Sequence, residues 1–380
     1  MPFEEKATAH NPSVGADGGQ PISINTNQSI ADSSAEINEN LGFEEVARQM
    51  RQYNSPGYMR TFSMSDLYEN IYDSRPPIVD GLLYSGTYLF VGAPKVGKSF
   101  FMAQLAYHVS MGIPLWNYEV KKGTVLYLAL EDTEKRLQER LFRMFGTDSA
   151  ENLHFTIWVK HLGSGLDEQL QRFVNEHPDA KLIIIDTLQK IREAGGDKFS
   201  YANDYEIVGK LKQFADKNHI CLLLVHHTRK QQAEDKFDMI SGTNGLLGAA
   251  DGAFLLQKEK RTSDAATLDI SGRDQQDQRL HLRRDADHLI WQFEKAETEL
   301  WKAPPDPLIE AVAALMVEQS SWSGTATDLV EKLDMDIKPN TLSMRLNVNA
   351  GRLMEEHSVR YTNERSHTGR CITLTLISEA

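Results

Sequence analysis

Gly92-Ala93-Pro94-Lys95-Val96-Gly97-Lys98-Ser99 follows the apolar run Tyr88-Leu89-Phe90-Val91 and opens the stretch FFMAQLAYHVS, residues 100–110. The octet fits G-x-x-x-x-G-K-[ST] with a strand before it and a helix after it, the setting such a loop requires. Its chemistry is a nest of backbone N–H groups and a positive helix end facing polyphosphate. Gly92 and Gly97 permit tight curvature, and Lys98 reaches toward the β- and γ-phosphates. Ser99 offers a hydroxyl to Mg²⁺. Ala93, Pro94, Lys95, Val96 and the following Phe100 complete the expected nucleotide-binding segment.

Working outward, short β-rich runs alternate with helical stretches: Thr87–Val91, a helix from Lys98, Thr124–Leu130, a helix from Thr133, Leu153–Val159, a helix from Leu166, Leu182–Asp186, a helix from Tyr205, and Ile220–Val225. This alternation predicts an α/β fold with a mostly parallel sheet flanked by helices. After Gly252 the strands Ala253–Gln257, Thr267–Ser271, Leu280–Arg283 and Leu289–Phe293 are joined by short turns, which predicts an antiparallel extension of the same sheet.

Ligands gather at the carboxyl ends of strands in an open α/β sheet, so the polar residues that end these runs become candidates. Asp186 ends Lys181–Ile185 and is placed to hold Mg²⁺ together with Ser99. Glu131 ends Val125–Leu130 and is the candidate carboxylate for activating an attacking water, leaving Asp132 as the cap of the next helix. His226 and His227 end Cys221–Val225. No Cys/His/carboxylate set at ligand spacing accompanies them, which argues against zinc. One of the two can hydrogen-bond a γ-phosphate. The residues alone do not decide which, and His226 is the first choice.

These blocks, GAPKVGKS, LYLALEDTEKRLQERL, LIIIDTLQK, LLLVHHTRK and SGTNGLLGAADG in that order, resemble the RecA-type ATPases and most closely the RepA-like hexameric helicases of plasmids and mobile elements. The resemblance spans about residues 77–294. It implies a RecA-like sheet, ATP and Mg²⁺ as ligands, Lys98 and Ser99 on nucleotide and metal, Asp186 on Mg²⁺, Glu131 as catalytic carboxylate, and a histidine of the pair as phosphate sensor. The family also implies an arginine acting across a subunit boundary. RepA helicases place it just after the glycine- and serine-rich helix, where this chain has Asp251. DnaB-type helicases place it on a later hairpin, and Ser271-Gly272-Arg273-Asp274 occupies a similar position here. Arg273 is therefore the expected trans finger, and a homo-oligomer, expected to be a hexamer, follows from it.

In RecA-type rings two loops line a central channel and touch DNA. Their counterparts are 190–201 (KIREAGGDKFSY) and 228–239 (TRKQQAEDKFDM), carrying Lys190, Arg192, Lys198, Arg229, Lys230 and Lys236, with Phe199 and Phe237 available for stacking. Ordinary solvated loops are the alternative, since each loop also contains acids. Beyond Ala303-Pro304-Pro305-Asp306-Pro307, the pattern predicts helices over 308–318, 326–333 and 340–354 and then two strands, 359–363 and 370–377. That resembles a winged helix with Arg345 and Arg352 on one face of the recognition helix. Binding to duplex DNA and docking to protein both remain open for it.

The chain has 380 residues and a net charge of −13, with two cysteines. Residues 1–75 hold 5 basic and 11 acidic side chains, so almost half of the excess lies before the phosphate loop. Residues 338–372 hold 6 basic and 3 acidic ones. The acidic total argues against a uniformly basic nucleic-acid coat but leaves local sites open. With no bilayer-length apolar run and no cysteine framework, the expectation is a cytoplasmic protein without a membrane partner. The expected organisation is a disordered tail (1–40), a helical segment (41–76), a RecA-like ATPase domain (77–302) and a winged-helix-like domain (303–380). A DNA helicase or translocase of replication is the first functional expectation. An ATP-switched DNA-binding regulator of replication or transcription is the alternative. A small-molecule kinase is disfavoured, because no lid or acceptor pocket is legible.

Overall fold

The computed structural model describes residues 55–72, 75–192, 201–228, 237, 244–273, 275–300, 304–366 and 369–377. The chain divides into a unit up to Asn70 and a second from Ile71 onward, each described by itself. In the first, α1 (Met64–Glu69) starts at a capping box: the Ser63 hydroxyl accepts the Asp66 N–H and the Asp66 carboxylate accepts the Ser63 N–H. The second half of the expected 41–72 helical segment is thus a single short helix capped by Ser63, and FEEVARQM lies outside the described residues.

The second unit begins with a small hairpin, β1 (Pro77–Val79) and β2 (Leu83–Tyr84), that the sequence pattern does not announce. The strands and helices that follow are β3 (Gly86–Gly92), α2 (Lys98–Met111), β4 (Thr124–Ala129), α3 (Glu134–Phe145), β5 (Leu153–Thr156), α4 (Leu166–Glu176), β6 (Ala180–Asp186), α5 (Tyr201–Asn218), β7 (Cys221–His227), α6 (Asn244–Ala249), β8 (Gly252–Gln257), β9 (Ala265–Gly272), β10 (Gln278–Arg284) and β11 (Trp291–Ala296). They build one nine-stranded sheet in the order β11-β10-β9-β8-β3-β7-β6-β4-β5. The expected α/β sheet is present, with one correction. β8 runs parallel to β3, so the antiparallel extension starts at β9 rather than at Ala253.

The inner strands are apolar at every position because both faces are covered. Odd and even residues go to different cores. Phe90, Tyr127, Ile184, Leu223 and Val225 pack with Phe101, Met102 and Leu105 of α2. Leu89, Leu128, Ile185, Leu222 and Leu224 pack with Leu170 of α4, Val208 and Leu211 of α5, and Leu246 of α6. This alternation decides which side chain at a strand end meets the phosphate loop, since that loop opens α2.

A third cluster holds the C-terminal elements: α7 (Pro307–Glu318), β12 (Ser321–Gly324), α8 (Ala326–Leu333), α9 (Pro339–Val348), α10 (Ala350–His357), β13 (Val359–Ser366) and β14 (Gly369–Leu376). Leu308, Val312, Leu329, Leu342, Leu346, Leu353, Tyr361 and Leu374 are buried together, against a sheet ordered β12-β14-β13. The single helix expected over 340–354 is two helices. Asn349 interrupts it by turning its side-chain amide back onto the Arg345 carbonyl at 2.8 Å, a local bond that competes with helix continuation. Arg345 and Arg352 therefore sit on different helices, not on one face. β12 is a further strand that its sequence, Ser-Trp-Ser-Gly, does not advertise.

Candidate active site at the strand ends

Strand register brings the candidate residues into one row. Gly92 pairs with His227, Asp186 with Val225, and Ala129 with Asp186. The phosphate loop, the histidine, the Mg²⁺ carboxylate and the chain leading to Glu131 thus emerge side by side from β3, β7, β6 and β4.

The loop itself requires its glycines. Gly97 caps α2 with φ 112° and no side-chain capping bond, a conformation L side chains avoid. A Cβ on Gly97 would lie 2.7 Å from the Trp291 ring, and one on Gly92 would lie 2.6 Å from the Leu256 carbonyl oxygen. Trp291 is fully buried. Its indole N–H donates to the Gly97 carbonyl at 3.3 Å, and its main chain exchanges two bonds with the Gln104 amide at 2.7 and 2.9 Å. An edge strand of the extension therefore supports the phosphate loop from beneath. Sequence reasoning missed Trp291, and the only available signal was a lone tryptophan in a strand otherwise reading as an ordinary hairpin.

Lys98 donates to the carbonyls of Gly92 (2.8 Å) and Ala93 (3.1 Å) and lies 3.0 Å from His227 Nδ1. Burial pushes its pKa down to about 8, against the opposing pull of Asp186 and Glu131. His227 projects to the α2 side of the sheet with Val225, whereas His226 projects to the other side and is buried. The histidine beside the phosphate lysine is His227, not the first choice His226. Burial and then the charge of Lys98 hold the His227 pKa below its ordinary value.

Ser99 Oγ donates to Asp186 Oδ2 at 2.7 Å, and the Tyr127 hydroxyl donates to the same oxygen at 2.9 Å. Burial raises the Asp186 pKa, opposed by those two hydrogen bonds. A hydroxyl and a carboxylate, both hard oxygen donors beside a polyphosphate loop, fit Mg²⁺, which takes one or two carboxylates and completes its shell with phosphate and water. Among the described residues no cluster of three or more His, Cys, Asp or Glu could hold a metal by protein groups alone. Tyr127 is a second missed residue. Its signal was a phenol inside the apolar run Val125–Leu130, because a buried tyrosine hydroxyl needs a partner.

Glu131 Oε1 accepts the Thr187 hydroxyl at 3.3 Å, which ties the candidate base to the residue after Asp186. Asp132 is not the cap of α3. Thr133 is, accepting the Arg136 N–H, while Asp132 takes a two-pronged ion pair from Arg140 at 2.7 and 3.1 Å. The Arg140 and Arg284 guanidinium groups stand 5.1 and 4.1 Å from the centre of the Phe100 ring, an arrangement that attracts cations to the ring face. Phe100 is thereby fixed beside Ser99.

The remaining candidates lie elsewhere. Arg273 follows β9 at the opposite end of the sheet. Gly272 pairs with Gly252, and Gly252 with Tyr88, so the hairpin root is about 13 Å along the strands from the level of Gly92. Lys190 is exposed on a short 3₁₀ turn (Leu188–Ile191). Arg192 is committed to a buried ion pair with Asp204 at 2.8 Å, which removes it from the free surface. Lys198, Phe199, Arg229, Lys230 and Lys236 lie outside the described residues. Phe237 packs against the second core instead of standing free. Arg345 pairs with Asp306 at 2.6 Å and Arg352 with Glu356 at 2.7 Å. No described helix is long and apolar enough to cross a membrane.

Residues 56–233 match a family model described as an AAA domain. That span contains the phosphate loop, Glu131, Asp186 and both histidines, set on a central parallel sheet with an antiparallel extension. The core has the RecA-type P-loop ATPase fold. Among solved structures, a DnaB-like replicative helicase, described with its primase interactions, shares 17% identity and a TM-score of 0.49, covering 70% of this chain and 76% of that one. A structure described as an isolated ATPase domain shares 15% and 0.47 over 56% of this chain and 85% of that one. A KaiC-like protein of the archaeon Pyrococcus horikoshii shares 15% and 0.43 over 60% and 99%. No curated protein matches the chain.

Proposed function

We propose that the chain is an ATP-hydrolysing DNA helicase or translocase of the RepA-like type, serving replication of a plasmid or mobile element as a homo-oligomeric ring, a hexamer. The observation that carries this reading is the convergence of Lys98, Ser99, Asp186, Glu131 and His227 at one row of strand ends, with Arg273 too far away to serve the same site. In this reading the loop N–H groups and Lys98 bind the β- and γ-phosphates, and Ser99 and Asp186 hold Mg²⁺. The metal, when bound, neutralises charge on the bridging phosphate oxygens. Glu131, steadied by Thr187, takes the proton from the attacking water. His227 touches Lys98 and registers loss of the γ-phosphate. Arg273 enters the site of the next subunit, which requires a head-to-tail interface.

DNA contact is assigned to the two channel loops through Lys190, Lys198, Arg229, Lys230 and Lys236. Arg192 braces the neck of the first loop. The C-terminal module is read as winged-helix-like. The ion pairs of Arg345 and Arg352 make it a secondary DNA surface at most, and equally a docking module for protein. The deciding assay combines Mg²⁺, ATP, single-stranded DNA and a forked duplex. A helicase accelerates hydrolysis with the single strand and separates the fork. Stimulated hydrolysis without any strand separation would favour an ATP-switched regulator instead.

Two further outcomes are expected at the site. His227→Ala should uncouple hydrolysis from DNA, lowering DNA-stimulated turnover about tenfold or more, whereas His226→Ala should act through stability. Steady-state ATPase and a thermal melt on both variants separate the two roles, and equal uncoupling by His226→Ala would contradict the assignment. The second outcome concerns pH. Lys98 loses its proton near pH 8 in the free protein, and polyphosphate favours the ammonium form, so the bound state has the higher pKa. Nucleotide affinity should therefore fall as pH rises through about 8, with proton uptake on binding. Calorimetric titration in buffers of different ionisation enthalpy measures that uptake, and none at pH 9 would contradict it.

A further inference from the structure

Asp251 stands outside the phosphate site, between α6 and β8, and is 3% exposed. Nearly every polar atom it has is engaged. Its N–H donates to the Thr87 carbonyl at 2.7 Å, and its Oδ2 accepts the Thr87 N–H at 2.9 Å. Its Oδ1 accepts the Lys212 ammonium at 2.5 Å and lies 3.4 Å from the Arg75 guanidinium. Its main-chain carbonyl accepts the Arg273 N–H at 2.9 Å. The approach to β3 is close enough that a Cβ on Gly86 would lie 2.8 Å from Asp251 Oδ2.

Arg273 has a second tether, its Nη2 donating to the Gly248 carbonyl at 2.5 Å. Both tethers thus end on the same four-residue stretch, 248–251. The Asp251 carboxylate fastens that stretch to three other elements: β3 through Thr87, α5 through Lys212, and the chain entering the core through Arg75. Burial alone would raise the Asp251 pKa, but Lys212, the Thr87 N–H and Arg75 together hold it below the ordinary carboxylate value. The group is therefore an anion at neutral pH, and its two cations depend on it.

We infer that Asp251 is a positioning residue for Arg273: its carboxylate locks the 248–251 turn, and the two carbonyls of that turn set the direction in which the finger leaves its own subunit. The inference rests on the trans-finger reading of Arg273. It differs from a purely structural role in one respect. A structural defect damages the subunit that carries it, whereas a misdirected finger damages only the site next door.

The test uses full-length Asp251→Asn, which keeps the side-chain size and an acceptor for the Thr87 N–H but loses the charge. Turnover of the assembled protein is expected to fall about ten- to a hundredfold, a part of what a finger supplies, with nucleotide affinity unchanged. Mixing with Lys98→Ala subunits, whose own sites are dead but whose fingers are intact, should restore turnover. Lys212→Gln, a milder change that leaves the carboxylate in place, should show a smaller loss that mixing also restores, and it carries the test if Asp251→Asn fails to bind nucleotide. An Arg273→Ala and Lys98→Ala mixture runs in parallel. If that control recovers while the Asp251→Asn and Lys212→Gln losses do not, or if both variants turn over like the parent, the positioning role is wrong. If the control itself fails to recover, the finger reading falls first and takes this inference with it.

Discussion

Arg273→Ala is expected to lower ATP turnover by about a thousandfold, the lower end of what an arginine finger contributes, while nucleotide affinity stays at the parent value. The expectation follows from where the residue sits. Arg273 leaves the sheet at the end opposite the phosphate loop, tethered to the Gly248 and Asp251 carbonyls. An arginine side chain cannot span the length of β3 to reach its own nucleotide, so any catalytic effect has to be exerted on a neighbour. The measurement is steady-state turnover beside nucleotide affinity, on samples whose assembly has been verified by mass. Intact turnover in an assembled sample would remove Arg273 from the mechanism.

Glu131→Gln is expected to reduce the hydrolysis step by about a hundred- to ten-thousandfold, the range for removal of a positioned general base. The amide has nearly the same shape and can still accept the Thr187 hydroxyl that Glu131 Oε1 accepts at 3.3 Å, so the site should remain assembled and still bind ATP. What is lost is the capacity to take a proton from water. Single-turnover hydrolysis separates this from binding. A rate near that of the parent would return the role to another group, with Asp132 the least suitable because Arg140 already occupies both its oxygens.

The sheet and the phosphate site are legible in the sequence because their signals are local. A buried parallel strand is apolar throughout, as in Leu182–Ile185, and a polar residue that ends such a run is conspicuous. The loop motif carries its own strand-and-helix context. What escapes depends on distant partners. Trp291 supports Gly97 from nearly two hundred residues away in sequence, and Tyr127 is meaningful only because Asp186 lies beside it on the adjacent strand. The choice between His226 and His227 needs strand register, since neighbouring residues on a strand face opposite cores. The run after Gly252 reads as wholly antiparallel because short turns follow β8, yet β8 itself enters from α6 and pairs in parallel with β3. In the C-terminal module, helical periodicity continues across Asn349, and the break comes from one side-chain amide returning to the Arg345 carbonyl. Charged residues are the least legible. Arg192, Arg345 and Arg352 read as available for nucleic acid, but each has an acidic partner within its own subunit.

The central claim is that a catalytic site is completed by the next subunit, and mixing two inactive variants tests it most directly. Lys98→Ala subunits retain Arg273 but cannot use ATP, and Arg273→Ala subunits retain the ATP site but lack the finger. Titrating one into the other during assembly should produce turnover that neither has alone, maximal when both are abundant. A mixture that stays at the sum of its two inactive components, in samples shown to co-assemble, would contradict the account.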